Sequence, residues 1–279
     1  AREKFNALSF LNDLPDRQEK ASIARVHIKE TRQFHHGFSF GDRTRTFLKV
    51  QDGCDYFCSF CTIPLARGRS RNPSIAEVLE QAKAAKEKGA AELVLTGVNI
   101  GDFGKSNGET FSELVKALDQ EPGMPRIRIS SIEPNLLSTE IIERVAASKV
   151  FQPHFHIPLQ SGSDSLLKAM RRRYRTELYA NRVAKIKALM PHASIGVDVI
   201  VGFPGETEAL FEETYAFLQS LEISYLHVFT YSERPNTTAL RLPGSVPFKV
   251  RKERNKRLRI LSDKMQEAHY QKHLGSQRE

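Results

Sequence analysis

From Thr46 onward, short runs rich in Val, Ile and Phe alternate with longer amphipathic runs, and this alternation constrains the fold more than any other feature of the chain. Strands are predicted over 46–51, 92–96, 126–130, 154–157, 194–201 and 225–230, with helices over 75–88, 111–119, 138–148, 177–190 and 210–221. A last, basic helix runs from 248 to about 273. Ser74 precedes the first helix with Glu77 three residues on, the spacing of a capping box, and Gly89 closes it. Ser138 and Thr139 precede Ile141, Ile142 and Val145, which share one helix face. Six strand–helix units predict the α/β class and, within it, a partial (βα)6 TIM-like barrel whose strands are covered by helices. Residues 1–44 read as a connector with an edge segment, 45–270 as the core domain and 271–279 as a tail.

All three cysteines of the 279 residues stand together as Cys54-x3-Cys58-x2-Cys61, directly after the first strand. Loops after the C-terminal strand ends carry the site in such barrels, so this loop lies where chemistry is expected. Three thiolates on one tight loop can bind three irons of a four-iron cluster and leave the fourth iron open to a ligand, whereas electron carriers usually fill all four positions. A structural zinc site wants four ligands, and the upstream His35 and His36 lack the usual Cys/His spacing. A disulfide is opposed by the odd count and by the short separations. The cluster is the leading reading, with a metal-stabilised, non-catalytic RNA-binding module as its rival. Tyr56, Phe57 and Phe60 lie between the ligands and are expected to shield the cluster from water.

The chain carries 42 Lys and Arg against 33 Asp and Glu, a formal charge of +9, which favours a polyanionic partner. Basic residues cluster at Arg67, Arg69 and Arg71, at Arg171 to Arg175 and from Lys249 to Arg259. The last run fits a solvated helix face or an RNA-facing surface equally well; Arg254 within it is expected to contact RNA. No apolar run approaches the roughly 20 residues of a membrane span, no signal peptide is evident, and sparse clustered cysteines fit a reducing, cytoplasmic setting.

Other strand-end loops become interpretable on this scheme: Gly97 to Asn99 after the second strand, Glu133 after the third, Gln160 to Ser163 after the fourth and the Asp198 to Glu206 turn after the fifth. A glycine such as Gly97 lets a ligand approach the backbone closely, though it is also an ordinary turn residue.

The cysteine motif resembles that of the radical S-adenosylmethionine enzymes. Together with KVQDGC, IPLARGRSR, TGVNIGDFG, PLQSGSDSLLKAMRRRY, GVDVIVGFPGET and FTYSERPNTTA, the chain is similar to their methylthiotransferases from about Arg43 to His273. The resemblance implies a 4Fe-4S cluster on Cys54, Cys58 and Cys61 whose open iron chelates S-adenosylmethionine, with reductive cleavage to a 5′-deoxyadenosyl radical. By motif position it places Gly97 and Asn99 near the methionine part and Glu133 near the ribose. Gln160, Ser161 and Arg172 would face the sulfonium or carboxylate, with Asp198 and Gly202 on the adenine side. It further implies tRNA, at the anticodon stem-loop, as partner and a reductant protein such as a flavodoxin. The nearest branch is the one acting on N6-threonylcarbamoyladenosine, with isopentenyladenosine tRNA and a ribosomal-protein aspartate as alternative substrates. REKFNALSFL and HYQKHLG resemble the segments flanking that family's central domain. A preceding domain with a second 4Fe-4S cluster and a following RNA-binding barrel are therefore expected. Asn236 stands where the family often has glycine, a replacement that tolerates left-handed backbone angles.

Overall fold

Strands and helices form where burial of one face supports them. The computed structural model describes residues 28–39 and 44–277. The six strands are β1 (Thr46–Lys49), β2 (Glu92–Thr96), β3 (Arg126–Ile129), β4 (His154–His156), β5 (Ser194–Val201) and β6 (Tyr225–Thr230). The helices are α1 (Ile63–Arg67), α2 (Ile75–Glu87), α3 (Phe111–Gln120), α4 (Thr139–Ala147), α5 (Asp164–Ala169), α6 (Thr176–Leu189), α7 (Glu208–Ser220) and α8 (Phe248–Gln271). Every longer element stands within a residue or two of its expected place. Helices α1 and α5 were not anticipated, because neither is long enough to display a helical period.

All strand pairings within β1-β2-β3 and β4-β5-β6 are parallel. The two halves join through bridges alone, Ile127 to Phe151 and Ser131 to His156. Pro153 and Pro158 bracket β4 and lack the N–H that a longer ladder would need. Capping fixes the helix starts: Ser74 and Glu77 form a full capping box on α2, and Thr110, Ser138 and Thr207 cap α3, α4 and α7.

Only one face of the sheet is uniformly apolar. Leu93, Leu95, Ile127, Phe155, Ile195 and Val197 are fully buried and belong to the main core. Most of their neighbours in sequence point the other way and are polar, including Glu92, Arg128, His154, His156 and Asp198, with Val94 an apolar exception. This second face is concave. His154 Nε2 and the Tyr225 hydroxyl stand 3.3 Å apart, from β4 to β6 across β5. Gly196 makes the room, since a Cβ there would lie 2.4 Å from the Tyr225 ring.

Both outer edges are covered. Gly37 and Ser39 exchange backbone hydrogen bonds with Lys49 and Phe47 at the β1 edge. The remainder of the expected 1–44 connector lies mostly outside the described residues. Along β6, Ser262 of α8 both accepts from Leu226 N–H and donates to its carbonyl, and Asn255 donates to the Val228 carbonyl. An unpaired strand edge is a template for aggregation, and side chains of α8 occupy this one.

Helix α8 corrects one expectation. Arg254 is buried: it donates to Glu206 at 2.7 Å and to Glu208 at 2.8 Å. Arg251 is buried beside it, bonded to the carbonyls of Val246 and Tyr231. These arginines anchor the helix, while Lys249, Lys252, Lys256 and Arg259 are the exposed bases of the run.

Candidate active site

The loop after β1 is closed before it reaches the cysteines. Asp52 and Arg71 exchange backbone hydrogen bonds at 2.9 Å in both directions, pinning the two ends. The Asp52 carboxylate also takes Lys49 at 3.0 Å, Arg67 at 2.9 Å and Arg71 at 2.8 Å. Burial pushes its pKa up, but these cations more than offset that and bring it down to about 2. Of the basic cluster noted in the sequence, Arg71 is therefore buried in the fold, while Arg67 reaches the same carboxylate from an exposed position. Gly53 is obligatory: its φ is 71°, and a Cβ would fall 1.9 Å from the Arg69 carbonyl.

Cys54, Cys58 and Cys61 are free thiols, Cys58 buried and the other two half-buried. Each sulfur accepts one N–H: Tyr56 N at 3.3 Å from Cys54, Arg172 Nη1 at 3.1 Å from Cys58 and Ile63 N at 3.4 Å from Cys61. Burial pushes the Cys54 thiol up to about 12 and raises Cys58 as well, although the Arg172 charge beside Cys58 pulls the other way. Bound metal deprotonates such thiols outright. Three thiols with one donor aimed at each sulfur fit a cluster with an open iron, since hydrogen bonds to the sulfurs are a main control on its potential.

The aromatic shield is only partly as expected. Tyr56 is buried and its hydroxyl accepts from Asn135 at 2.7 Å, but Phe57 is 55% exposed and turns outward. Phe60 packs edge-on against Phe203 in a small cluster with Leu166, Met170 and Tyr231 that seats the loop on the β4–β6 end of the barrel.

The other expected contacts divide. Gln51, fully buried, accepts from the backbone N–H of Val98 and of Asn99, both at 2.9 Å, which fixes the Gly97 turn. Its amide nitrogen donates to the carbonyls of Asp52 and Gly53 on the cysteine loop. Asn99 is 3% exposed with neither side-chain amide atom bonded, and buried Asp102 has one oxygen unbonded. Buried polar atoms without partners are costly, which makes this corner a candidate position for a polar ligand. Arg172 joins Glu133 directly and also reaches Cys58. Gln160 and Asp198 line a cleft of about 290 Å³ together with Cys61, Phe60, Ile200 and Tyr231. Gln160 has a φ of 70°, a strained value of the kind that gathers at functional sites.

Ser161 and Gly202 are held by partners of their own within the fold. The Ser161 hydroxyl is buried against Thr214 at 3.1 Å, and Gly202 (φ 77°) packs under Arg251. Gln51, Tyr231 and Arg234 were missed as site residues, although the YSERP segment was visible as a motif after the last strand.

The Radical SAM superfamily model matches residues 48–218. A threonylcarbamoyladenosine tRNA methylthiotransferase of Aquifex aeolicus is 38% identical over 276 residues, covering 98% of this chain and 67% of that protein. The chain belongs to the radical SAM superfamily and, within it, to the methylthiotransferases. The enzyme of the same name from Bacillus subtilis is 47% identical over 231 residues, 81% of this chain and 51% of that methylthiotransferase. A tRNA-2-methylthio-N(6)-dimethylallyladenosine synthase of Streptomyces viridosporus is 37% identical over 231 residues, 82% of this chain and 46% of that protein. The chain thus spans about half to two thirds of the length of these relatives. Among solved structures, the coproporphyrinogen III oxidase of Escherichia coli, described as a radical SAM enzyme, superposes with a TM-score of 0.57 at 16% identity. That match covers 78% of this chain and 52% of the oxidase, and it supports the fold of the methylthiotransferase core, a partial barrel. Membership of this superfamily implies a 4Fe-4S cluster and S-adenosylmethionine. Among the described residues, no helix is long and apolar enough to cross a membrane.

Proposed function

We propose that this chain is the S-adenosylmethionine-cleaving core of a methylthiotransferase acting on N6-threonylcarbamoyladenosine beside the tRNA anticodon. The observation that carries the reading is the cysteine loop itself: three free thiols, each sulfur met by one N–H, at the mouth of the cleft lined by Cys61, Gln160 and Asp198. Cys54, Cys58 and Cys61 would hold the cluster. The cofactor pair supplies, when bound, one-electron cleavage of the sulfonium to a 5′-deoxyadenosyl radical.

The chain's own residues bind and orient. Asn99, with both amide atoms unbonded and the Gly97 turn fixed by Gln51, suits the amino acid end of S-adenosylmethionine. Phe60, Ile200 and Tyr231 give the cleft apolar walls for the nucleoside, with Gln160 and Asp198 as its polar contacts. Glu133 and Arg172, paired with each other, are the residues we assign to ribose hydroxyls and a carboxylate, and Arg172 adds a positive charge beside Cys58. The preceding domain with a second cluster, a flavodoxin-type reductant and a cytoplasmic setting belong to the same proposal for the whole protein.

Anaerobic reconstitution with iron and sulfide tests it. A brown, reducible four-iron signal and 5′-deoxyadenosine formation with a reductant are expected, and a colourless protein that binds RNA without turnover would overturn the reading. Isopentenyladenosine tRNA is the second substrate to try, because a relative of similar identity carries the dimethylallyl name. Following substrate hydrogen into 5′-deoxyadenosine separates the two tRNAs from a ribosomal-protein substrate.

A further inference from the structure

We propose that His156, Asp198 and His227 form a binding site for one divalent transition-metal ion inside the barrel, distinct from the cysteine site. Each comes from a different strand, β4, β5 and β6, and their ligand atoms all lie within 4.8 Å of one another. Strand register brings them to one height. Asp198 is the direct partner of His227, and His156 is paired with Gly196, two residues before Asp198. The period-two alternation of strands turns all three toward the concave face.

The donors are already assembled. His156 Nε2 stands 2.9 Å from Asp198 Oδ1, and the His156 and His227 rings meet edge-on at 5.4 Å. Tyr225 supports His227 from the other side, with ring centroids 5.2 Å apart, and its hydroxyl reaches His154 in the layer beneath. Sites carried on strands hold their geometry better than sites on loops. His156 and Asp198 side chains are 19% and 18% exposed, sheltered from bulk water and still reachable.

The chemistry selects a class of ion. Two imidazole nitrogens and one carboxylate oxygen suit zinc, iron(II) and their neighbours; magnesium and calcium prefer oxygen alone, and copper(I) prefers sulfur. Three protein ligands leave coordination positions open, as in catalytic metal sites. Asp198 also lines the cleft that holds Cys61, so those open positions would face whatever occupies it, and a carboxylate or hydroxyl oxygen could complete the shell. The donor set contains no sulfur, so metal binding is measured apart from the cluster, but Asp198 is shared with the nucleoside contact proposed above, and a metal held there would compete with that contact.

Two measurements on the full chain decide it. In protein whose cysteines are filled by reconstitution, zinc retained after dialysis should approach one ion per chain. Asp198→Asn and His227→Gln should each lower zinc affinity by roughly tenfold or more. In the Cys54→Ala/Cys58→Ala/Cys61→Ala variant, cobalt(II) should give weak ligand-field bands without the thiolate charge-transfer band. His227 is exposed, so His227→Gln should keep the parent circular dichroism and melting temperature and remain informative if changes at His156 unfold the barrel. No zinc beyond background in the parent, or zinc bound equally well by the folded Asp198→Asn and His227→Gln variants, would show a bare hydrogen-bonded His–Asp pair and overturn the proposal.

Discussion

Arg172 donates from Nη1 to the sulfur of Cys58 at 3.1 Å while its other terminal nitrogen holds Glu133, so one buried guanidinium joins the β4 loop to both the cysteine loop and the β3 loop. A lysine at this position cannot reproduce that fork. Arg172→Lys is expected to lower the yield of reconstituted cluster and shift its potential, read by absorbance and redox titration. Arg172→Ala should also cost on the order of 3 kcal/mol in urea unfolding, because Glu133 is left without its partner. Unchanged potential in the lysine variant would show that the Cys58 contact does not tune the site.

Arg254 and Lys256 separate the two roles mixed in the basic helix. Arg254→Glu places a carboxylate against Glu206 and Glu208, and a loss of roughly 3–5 kcal/mol in stability is expected. Lys256→Glu, on the exposed face, should change stability by less than about 0.5 kcal/mol and weaken tRNA binding in a salt-dependent way. Melting curves and filter binding at two salt concentrations check both. Equal effects from the two variants would show that burial does not distinguish them.

The order of elements was legible because burial on the helix-covered face imposes period-two and helical patterns that survive in the residues, as at Ile141, Ile142 and Val145. The cysteine loop was legible for a different reason: ligand spacing is local. What was hidden depends on distant partners. Arg251, Arg254, Leu258 and Leu261 form one buried stripe of α8, but basic residues there suggest an outer face until the acids 46 and 48 residues away are known. Gln51 was hidden in the same way, since its task is to join loops separated by 47 residues or more. The Ser161 contact with Thr214, 53 residues away, was hidden for the same reason.

Asp52 links stability to acidity in a defined window. Its pKa falls from an unfolded value of 3.8 to about 2 in the fold, so its contribution is complete above pH 3.8 and is lost as the pH falls through about 2. The expected contribution at neutral pH is on the order of 2 kcal/mol. His154 acts at milder pH. Burial, then the charges of Arg128, His156 and Arg45, lower its pKa from 6.5 to about 4. The unfolded chain therefore takes up the proton first, and stability falls as pH drops from 6.5 toward 4. Asp52→Asn should diminish the lower step of the stability–pH curve and His154→Phe the upper one, which His269, also lowered from 6.5 to about 4 by burial, shares. Retention of both steps at full size in both variants would assign them to other groups.

Gln51 offers the sharpest dissection of the candidate site, because its two ends do different work. The oxygen fixes the Val98 and Asn99 amides, and the nitrogen holds the Asp52 and Gly53 carbonyls with Ser70. Gln51→Glu keeps the acceptor and loses the donor; Gln51→Met loses both. Each orphaned buried group costs roughly 1–3 kcal/mol, and the glutamate variant also buries a carboxylate whose second oxygen faces the Asp52 and Gly53 carbonyls, so both variants should be less stable than the parent by denaturant unfolding, the glutamate one more so at neutral pH. If the Gly97–Asn99 turn binds S-adenosylmethionine and the opposite end serves the cysteine loop, the reconstituted variants should also differ in kind. Gln51→Glu would leave S-adenosylmethionine affinity near the parent's and lower cluster yield, whereas Gln51→Met would weaken both. A glutamate variant with normal cluster content and poor S-adenosylmethionine binding would reverse the assignment of the two ends.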